Sequence, residues 1–172
     1  MSKIFFSADL HFNNFNSITY NDRPYKTVEE MDSKLISNIN ETCSHEDTLY
    51  LLGDLCFGNW KYYKPLIKCN VVEIQGNHDR QNKYRFNEFG YLSNYHANNF
   101  FLVHDFETFR ECIPNNCTVV LAGHCHKAWT YNVIKRQYMH DIPVYNVGVD
   151  VNNYRPISLE TIIKQLHKKN LL

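Results

Sequence analysis

Neither sign of charge is in excess: 18 lysines and arginines stand against 18 aspartates and glutamates. Binding to nucleic-acid backbone draws on a surplus of basic side chains, so this balance argues against an extended nucleic-acid platform. No apolar run comes near the roughly 20 residues that span a bilayer, and no charged, then apolar, then small-residue leader opens the chain. A membrane is therefore not an expected partner. Paired cysteines are missing too: Cys43, Cys56, Cys69, Cys112, Cys117 and Cys125 are spread along the chain without a CxxC spacing. A chain of 172 residues is long enough to build its core without disulfide staples. Reduced thiols in a soluble, cytoplasmic protein are the expectation. Internal repeats, low-complexity tracts and linkers are also absent, which predicts a single domain over residues 1–172.

Asparagine, by contrast, is plentiful and falls mostly in short polar connections, a sign of many turns. Aromatic residues make up 15 % of the chain. Most belong to a core, and a few beside polar motifs could wall a pocket. The apolar runs are short and β-rich, and five are predicted strands: Lys3 to Ala8, Thr48 to Leu52, Val71 to Ile74, Phe100 to Val103 and Thr118 to Ala122. Thr27 and Glu30 have capping-box spacing ahead of Val28, Met31, Leu35 and Ile39, which predicts a helix through about Thr42. A weaker helix is expected over Trp60 to Cys69, and a short helix and a turn between Arg80 and Asn99. Trp129 to His140 reads as a strand paired with Pro143 to Val149, and Ser158 caps a last amphipathic helix. Strands alternating with helices indicate α/β layers, with a second, mostly antiparallel sheet in the later part.

Each of the five runs ends in a potential metal ligand: Asp9 with His11, Asp54, Asn77 with His78, His104, and His124 with His126. Ligands of α/β sheets collect beyond the carboxyl ends of strands, so the repeated placement is that of one composite site. Five of the nine histidines fall there; His45, His96, His140 and His167 are expected at the surface. In extended backbone residues i and i+2 point the same way. Asp9 and His11 can then reach one ion, His124 and His126 can project together, and Cys125 faces elsewhere. Taken singly, each motif is equally ordinary loop chemistry.

In this order, Asp9-x-His11, Gly53-Asp54, Gly76-Asn77-His78-Asp79, His104 and Gly123-His124-x-His126 resemble the five motifs of calcineurin-like metallophosphoesterases, and they span most of the chain. The small size, Arg23-Pro24-Tyr25, Asn146-Val147-Gly148-Val149-Asp150 and Arg155-Pro156-Ile157-Ser158-Leu159 resemble the compact bacterial and phage members. The resemblance implies a two-sheet β-sandwich flanked by helices, a four-layer αββα fold, with two divalent ions. It implies that Asp9, His11 and His126 hold one ion, that Asn77, His104 and His124 hold the other, and that Asp54 bridges them. Mixed imidazole and oxygen donors independently suit manganese, iron, zinc, nickel or cobalt better than calcium or magnesium, and manganese is the expected metal.

The implied activity is hydrolysis of a phosphodiester in a small or nucleotide-like substrate, through attack by a hydroxide bridging the two ions. Asp9, Asp54 and that hydroxide would leave about one positive charge of the four on two divalent ions, which suits a diester monoanion. A phosphomonoesterase with the same site, and a catalytically idle scaffold that keeps the fold, are the alternatives. By resemblance His78 protonates the leaving oxygen, and an imidazole with a pKa of about 6.5 suits that role. Phe57 and Gly58 stand where phosphoprotein phosphatases carry an aspartate and an arginine, so Asp79 either orients His78 in their place or caps the turn. Asn14 and Arg23 are the expected substrate contacts, Arg23 as a phosphate clamp or else as a surface salt bridge. Arg80 is a further candidate clamp. Tyr25, Trp129 and Tyr154 stack on a base or belong to the core.

Overall fold

The computed structural model describes residues 2–81, 86–137 and 139–172, with the backbone alone for Arg80 and Gln81. Its first sheet contains β1 (Ile4–Ser7), β2 (Thr48–Leu52), β3 (Asn70–Ile74) and β9 (Ile157–Ser158), in the order β3-β2-β1-β9. β1, β2 and β3 run parallel, with Phe5 opposite Leu49 and Leu49 opposite Val71, and β9 closes the edge antiparallel to β1. The second sheet contains β4 (Phe89–Tyr95), β5 (Asn98–Val103), β6 (Val119–Ala122), β7 (Tyr131–Ile134) and β8 (Ile142–Asn146), in the order β4-β5-β6-β8-β7. Its centre differs from the antiparallel expectation. β5, β6 and β8 are parallel, and only the edge strands β4 and β7 are antiparallel to their neighbours. The connections between the central strands are long enough to return the chain to the start of the sheet, which a parallel pair requires.

The continuous apolar runs are explained by strands buried on both faces. In the first sheet Phe5, Leu49 and Leu51 face outward, where α2 (Val28–Thr42) covers them with Met31, Leu35 and Ile39. Phe6, Ala8, Leu52 and Ile74 face inward and meet Phe100, Leu102, Val119, Leu121 and Tyr145 of the second sheet. The last helix, α3 (Leu159–Lys168), adds Ile162 and Leu166 to that inner layer. On the far side of the second sheet, Phe101, Val103, Val120, Ala122 and Val144 lie under Phe106, Ile113 and Trp129. A loop with a 3-10 turn at Arg110–Cys112 covers that face. The architecture is a mixed α/β sandwich of two sheets flanked by helices.

Local signals explain most boundaries. Thr27 accepts from the Glu30 amide at 3.1 Å, while Glu30 reaches back to the Lys26 amide at 2.8 Å, one residue before the cap. Ser158 accepts from the Thr161 amide at 3.2 Å and starts α3. The weak helix expected after Trp60 is two 3-10 turns, Trp60–Tyr62 and Lys64–Leu66. Pro65 in the second turn has no amide to continue an α-helix. The segment read as a short helix and a turn holds the 3-10 turn His78–Gln81 and the strand β4, with residues 82–85 outside the described residues. A short helix that was not expected, α1 (Phe15–Tyr20), interrupts the first Asn-rich loop. No helix among the described residues is long and apolar enough to cross a membrane.

Leu35 is fully buried beneath the first sheet. Leu35→Ala is expected to lower the unfolding free energy by about 2–5 kcal/mol, the usual range for emptying a leucine site in a core. Urea denaturation measures this, and an unchanged midpoint would contradict the assignment of α2 as the cover of that face.

Candidate metal centre

Because β1, β2, β3, β5 and β6 all point their carboxyl ends toward one edge of the sandwich, the loops that leave them meet. Backbone bonds stitch these loops together: Asp9 N–H to Gly53 C=O at 3.1 Å, His11 N–H to Asp54 C=O at 2.9 Å and Gly123 N–H to His104 C=O at 3.0 Å. The approach is close enough to exclude side chains at two glycines. A Cβ on Gly123 would lie 2.6 Å from the Cβ of Ala8, and one on Gly76 would lie 2.2 Å from both the amide nitrogen and Oδ1 of Asp54. Gly76 is needed for this space as well as for the turn.

Two groups of ligand atoms result. Asp9, His11 and His126 form one and Asp54, His104 and His124 the other, and within each group the atoms lie within 4.8 Å of one another. Asn77 joins the second group, its Oδ1 3.0 Å from Nε2 of His104. Asp9, His11, Asp54 and His104 form a buried floor, whereas Asn77 and His124 are exposed at the mouth. The backbone that delivers them is not extended. Asp9, His11, Asp54, His124 and His126 have φ of 58°, 51°, 54°, 70° and 43°. Each such residue costs on the order of 1 kcal/mol, and strain of this kind concentrates at functional sites. Left-handed turns, in place of the expected alternation, therefore aim these side chains, and they send His124 and His126 to different groups.

Hydrogen bonding fixes which atoms face the centre. Nδ1 of His104 lies 2.8 Å from the Leu52 carbonyl, which can only accept, so Nδ1 carries the proton. Nε2 is left to face Asn77 Oδ1 at 3.0 Å and Asp54 Oδ2 at 3.3 Å. With the imidazole neutral these three atoms are all acceptors, and a proton on Nε2 or a cation among them would satisfy them. Burial disfavours a charge on His104, but Asp54 and Asp9 outweigh it and raise its pKa to about 9. Burial also opposes ionisation of Asp54, yet His104 and His11 hold its carboxyl well below the usual range. For Asp9 burial prevails and raises the pKa. His11 is pushed down to about 3, chiefly by burial, and neither of its ring nitrogens has a hydrogen-bond partner. A buried imidazole without a hydrogen bond, beside amide and carboxylate oxygens gathered around Nε2 of His104, is a donor set that a cation would complete.

Other expected residues have different surroundings. His78 stands at the rim with its side chain 47 % exposed, its amide donating to Asp54 Oδ1 at 3.0 Å and its Nε2 3.9 Å from Asp54 Oδ2. Asp79 does not orient it. The Asp79 carboxylate is fully buried and accepts from the amides of Asp54 at 2.7 Å, Leu55 at 2.9 Å and Gly76 at 2.8 Å. It is the turn cap, and it staples the Gly76 loop to the Asp54 loop.

Arg23 is not available as a phosphate clamp. It is 4 % exposed and its guanidinium is spent on Asp150 and on the carbonyls of Asp9 and Leu10. It does form a salt bridge, but a buried one. Asn14 caps α1 by accepting from the Asn16 amide at 3.0 Å. Tyr25 and Tyr154 pack against the first core cluster and Trp129 against Phe106, so the three aromatics belong to the core. Cys125 lies outside both ligand groups, and His45, His96, His140 and His167 are exposed. The Arg80 side chain lies outside the described residues.

No family model matches the chain. An uncharacterized protein of Methanocaldococcus jannaschii, MJ1445, is 33 % identical over 98 % of this chain and 93 % of its own length. The chain belongs to the MJ1445 family. The crystal structure of a protein of unknown function from Aquifex aeolicus, AQ665, superposes with a TM-score of 0.73 at 22 % identity, covering 96 % of this chain and all of that one. It has the same fold as this MJ1445 relative. An uncharacterized Streptococcus pneumoniae protein, described as a predicted phosphoesterase, covers 86 % of this chain and 72 % of its own at 15 % identity. Its TM-score of 0.43 is too low to bear on fold or function.

Three residues of this MJ1445-family site were noted in the sequence without a role. Asp150 contacts His126, its Oδ2 lying 2.7 Å from Nδ1. Asn146 donates to the carbonyls of His126 and Trp129 and accepts from the Gly148 amide. Phe57 lays its ring beside His78, centroids 5.3 Å apart. The NVGVD stretch marks the first two as a family resemblance, with Asn146 ending β8 and Asp150 in the turn that follows, but gives neither a partner. Asp79→Asn would replace one accepting oxygen by a donor facing backbone N–H groups. It is expected to cost about 1–3 kcal/mol while leaving His78 with no lost partner. Urea denaturation reads this, and wild-type stability would refute the staple.

Proposed function

We propose that this protein is a metal-dependent phosphoesterase of the calcineurin-like type, acting on a phosphodiester in a small or nucleotide-like substrate. The observation that carries the reading is the pair of ligand groups, which meet at one edge of the sandwich with acceptors facing one another. In this reading Asp9, His11 and His126 hold one divalent ion, Asn77, His104 and His124 hold another, and Asp54 lies between them. The mixed imidazole and oxygen donors suit manganese, iron, zinc, nickel or cobalt, and manganese is the metal proposed. When bound, the ions would activate water and neutralise charge on the phosphate. The two groups contribute two carboxylates, Asp9 and Asp54, so two divalent ions would keep a net positive charge toward an incoming phosphodiester monoanion.

The chain's own residues divide the remaining work. His78 is half exposed at the rim and can deliver a proton to a leaving oxygen. Its imidazole has Phe57 beside it, His11 edge-on at 5.4 Å and the Asp54 carboxylate 3.9 Å from Nε2, which together restrain the ring. Asn77 and His124, exposed at the mouth, border the path by which an ester would approach. Buried Asp9 and His11 keep the other group away from bulk water.

Purified protein loaded with manganese is expected to carry about two ions per chain, measured by elemental analysis, and to cleave a generic phosphodiester faster than a phosphomonoester. Absence of bound metal would end the proposal. Two bound ions with no turnover of either ester would end its enzymatic half, and the reverse preference would reassign it to monoesters. His78→Ala should retain both ions while turnover falls by roughly 10²–10⁴-fold; unchanged turnover would remove His78 from the reaction. Asp54→Asn should weaken both ions together, and full retention of two ions would contradict its place between the groups.

A further inference from the structure

Arg23 and Asp150 are 127 residues apart in sequence and wholly buried, with no exposed side-chain surface on either. Nε of Arg23 donates to Asp150 Oδ1 and Nη2 to Oδ2, both at 2.9 Å. The same guanidinium donates through Nη2 to the Asp9 carbonyl at 2.6 Å and through Nη1 to the Leu10 carbonyl at 3.0 Å. Nη1 also lies 3.4 Å from the sulfur of Met31. Asp150 Oδ2 receives the Nδ1 proton of His126 at 2.7 Å. One ion pair therefore holds the strained Asp9 backbone on one side and the His126 ring on the other, and these belong to the same ligand group.

Stability alone is a poor reason for this pair, because a buried ion pair is often no more stable than well-packed apolar side chains. Its geometry has a more specific consequence. With Nδ1 engaged by Asp150, Nε2 is the nitrogen left to the ligand group. Carboxylates that bind the second nitrogen of a ligating histidine fix its tautomer and raise its donor strength.

We propose that Asp150, held by Arg23, is the positioning residue of the Asp9, His11 and His126 group. It keeps the proton of His126 on Nδ1 so that Nε2 remains a ligand atom, while Arg23 locks the Asp9 turn against the same carboxylate. The inference rests on the metal-centre reading above and adds a difference between the two ions: only the ion at Asp9, His11 and His126 depends on the Arg23 and Asp150 pair.

Manganese titration followed by equilibrium dialysis separates the possibilities. Wild type is expected to bind two ions. Asp150→Asn should weaken one of them by about 10–100-fold, the usual effect of losing such a partner, and leave the other unchanged. Arg23→Lys should act on the same ion in the same direction. In a His126→Ala background, Asp150→Asn should add a smaller loss than it causes alone, the part that acts through the Asp9 turn. Equal weakening of both ions, or an undiminished loss in the His126→Ala background, would mean that Asp150 acts only on the fold and would overturn the inference. Wild-type affinity for both ions in Asp150→Asn would overturn it as well, while a wild type that binds no manganese would overturn the metal reading from which it follows. If the variants do not fold, the zinc-loaded wild type is read by long-range proton–nitrogen NMR. A slowly exchanging proton on Nδ1 of His126 is expected, and a proton on Nε2 would refute the proposal.

Discussion

The rest of the fold holds together oxygen atoms that crowd around the buried imidazoles of His104 and His11. At the edge of the sandwich an amide oxygen of Asn77 and a carboxylate oxygen of Asp54 lie 3.0 Å and 3.3 Å from Nε2 of His104. The carbonyl of Leu52 has already taken the His104 proton. Beside them both ring nitrogens of His11 are buried without a partner. Lone pairs brought together in a low-dielectric setting repel unless a proton or a cation lies among them. The upward shift of His104 and the downward shift of Asp54 express the attraction between the two once that proton is present on Nε2.

Holding such a group together requires structure that opposes it. Parallel strands supply the convergence, since their carboxyl ends share an edge. Five candidate ligand residues are forced into left-handed backbone, and the opposing bonds come from neighbouring loops. Asp79 gathers three amides from two loops, and Arg23 with Asp150 ties the Asp9 turn to His126. The glycines at 76 and 123 allow backbones to meet where a methyl group would collide. The sandwich core, buried on both faces of each sheet, anchors these turns at their strand ends.

Residue chemistry at strand ends was visible along the chain because a polar ligand after an apolar run breaks the pattern in an obvious place. Asp9, His11, Asp54, Asn77, His104, His124 and His126 stood out for that reason, and the structure brings them together. The roles of Arg23, Asp79 and Asn14 were not legible. An arginine near a motif has the same letters whether it faces a phosphate or a buried carboxylate far away in sequence, and a carboxylate beside a histidine does not reveal that three amides claim it first. β4 escaped notice because most of its side chains remain at least partly exposed, so no buried stripe marked it.

Alone, then, the sequence determined the strand-ending ligands, the caps at Thr27 and Ser158, and the mixed α/β character, because each depends on neighbours within a few residues. Tertiary structure alone decided how the ligands divide into two groups, which nitrogen of His104 and of His126 faces the centre, and that Arg23 serves the framework. Those outcomes depend on contacts between residues such as Arg23 and Asp150, 127 positions apart, and on left-handed turns that strand periodicity does not encode.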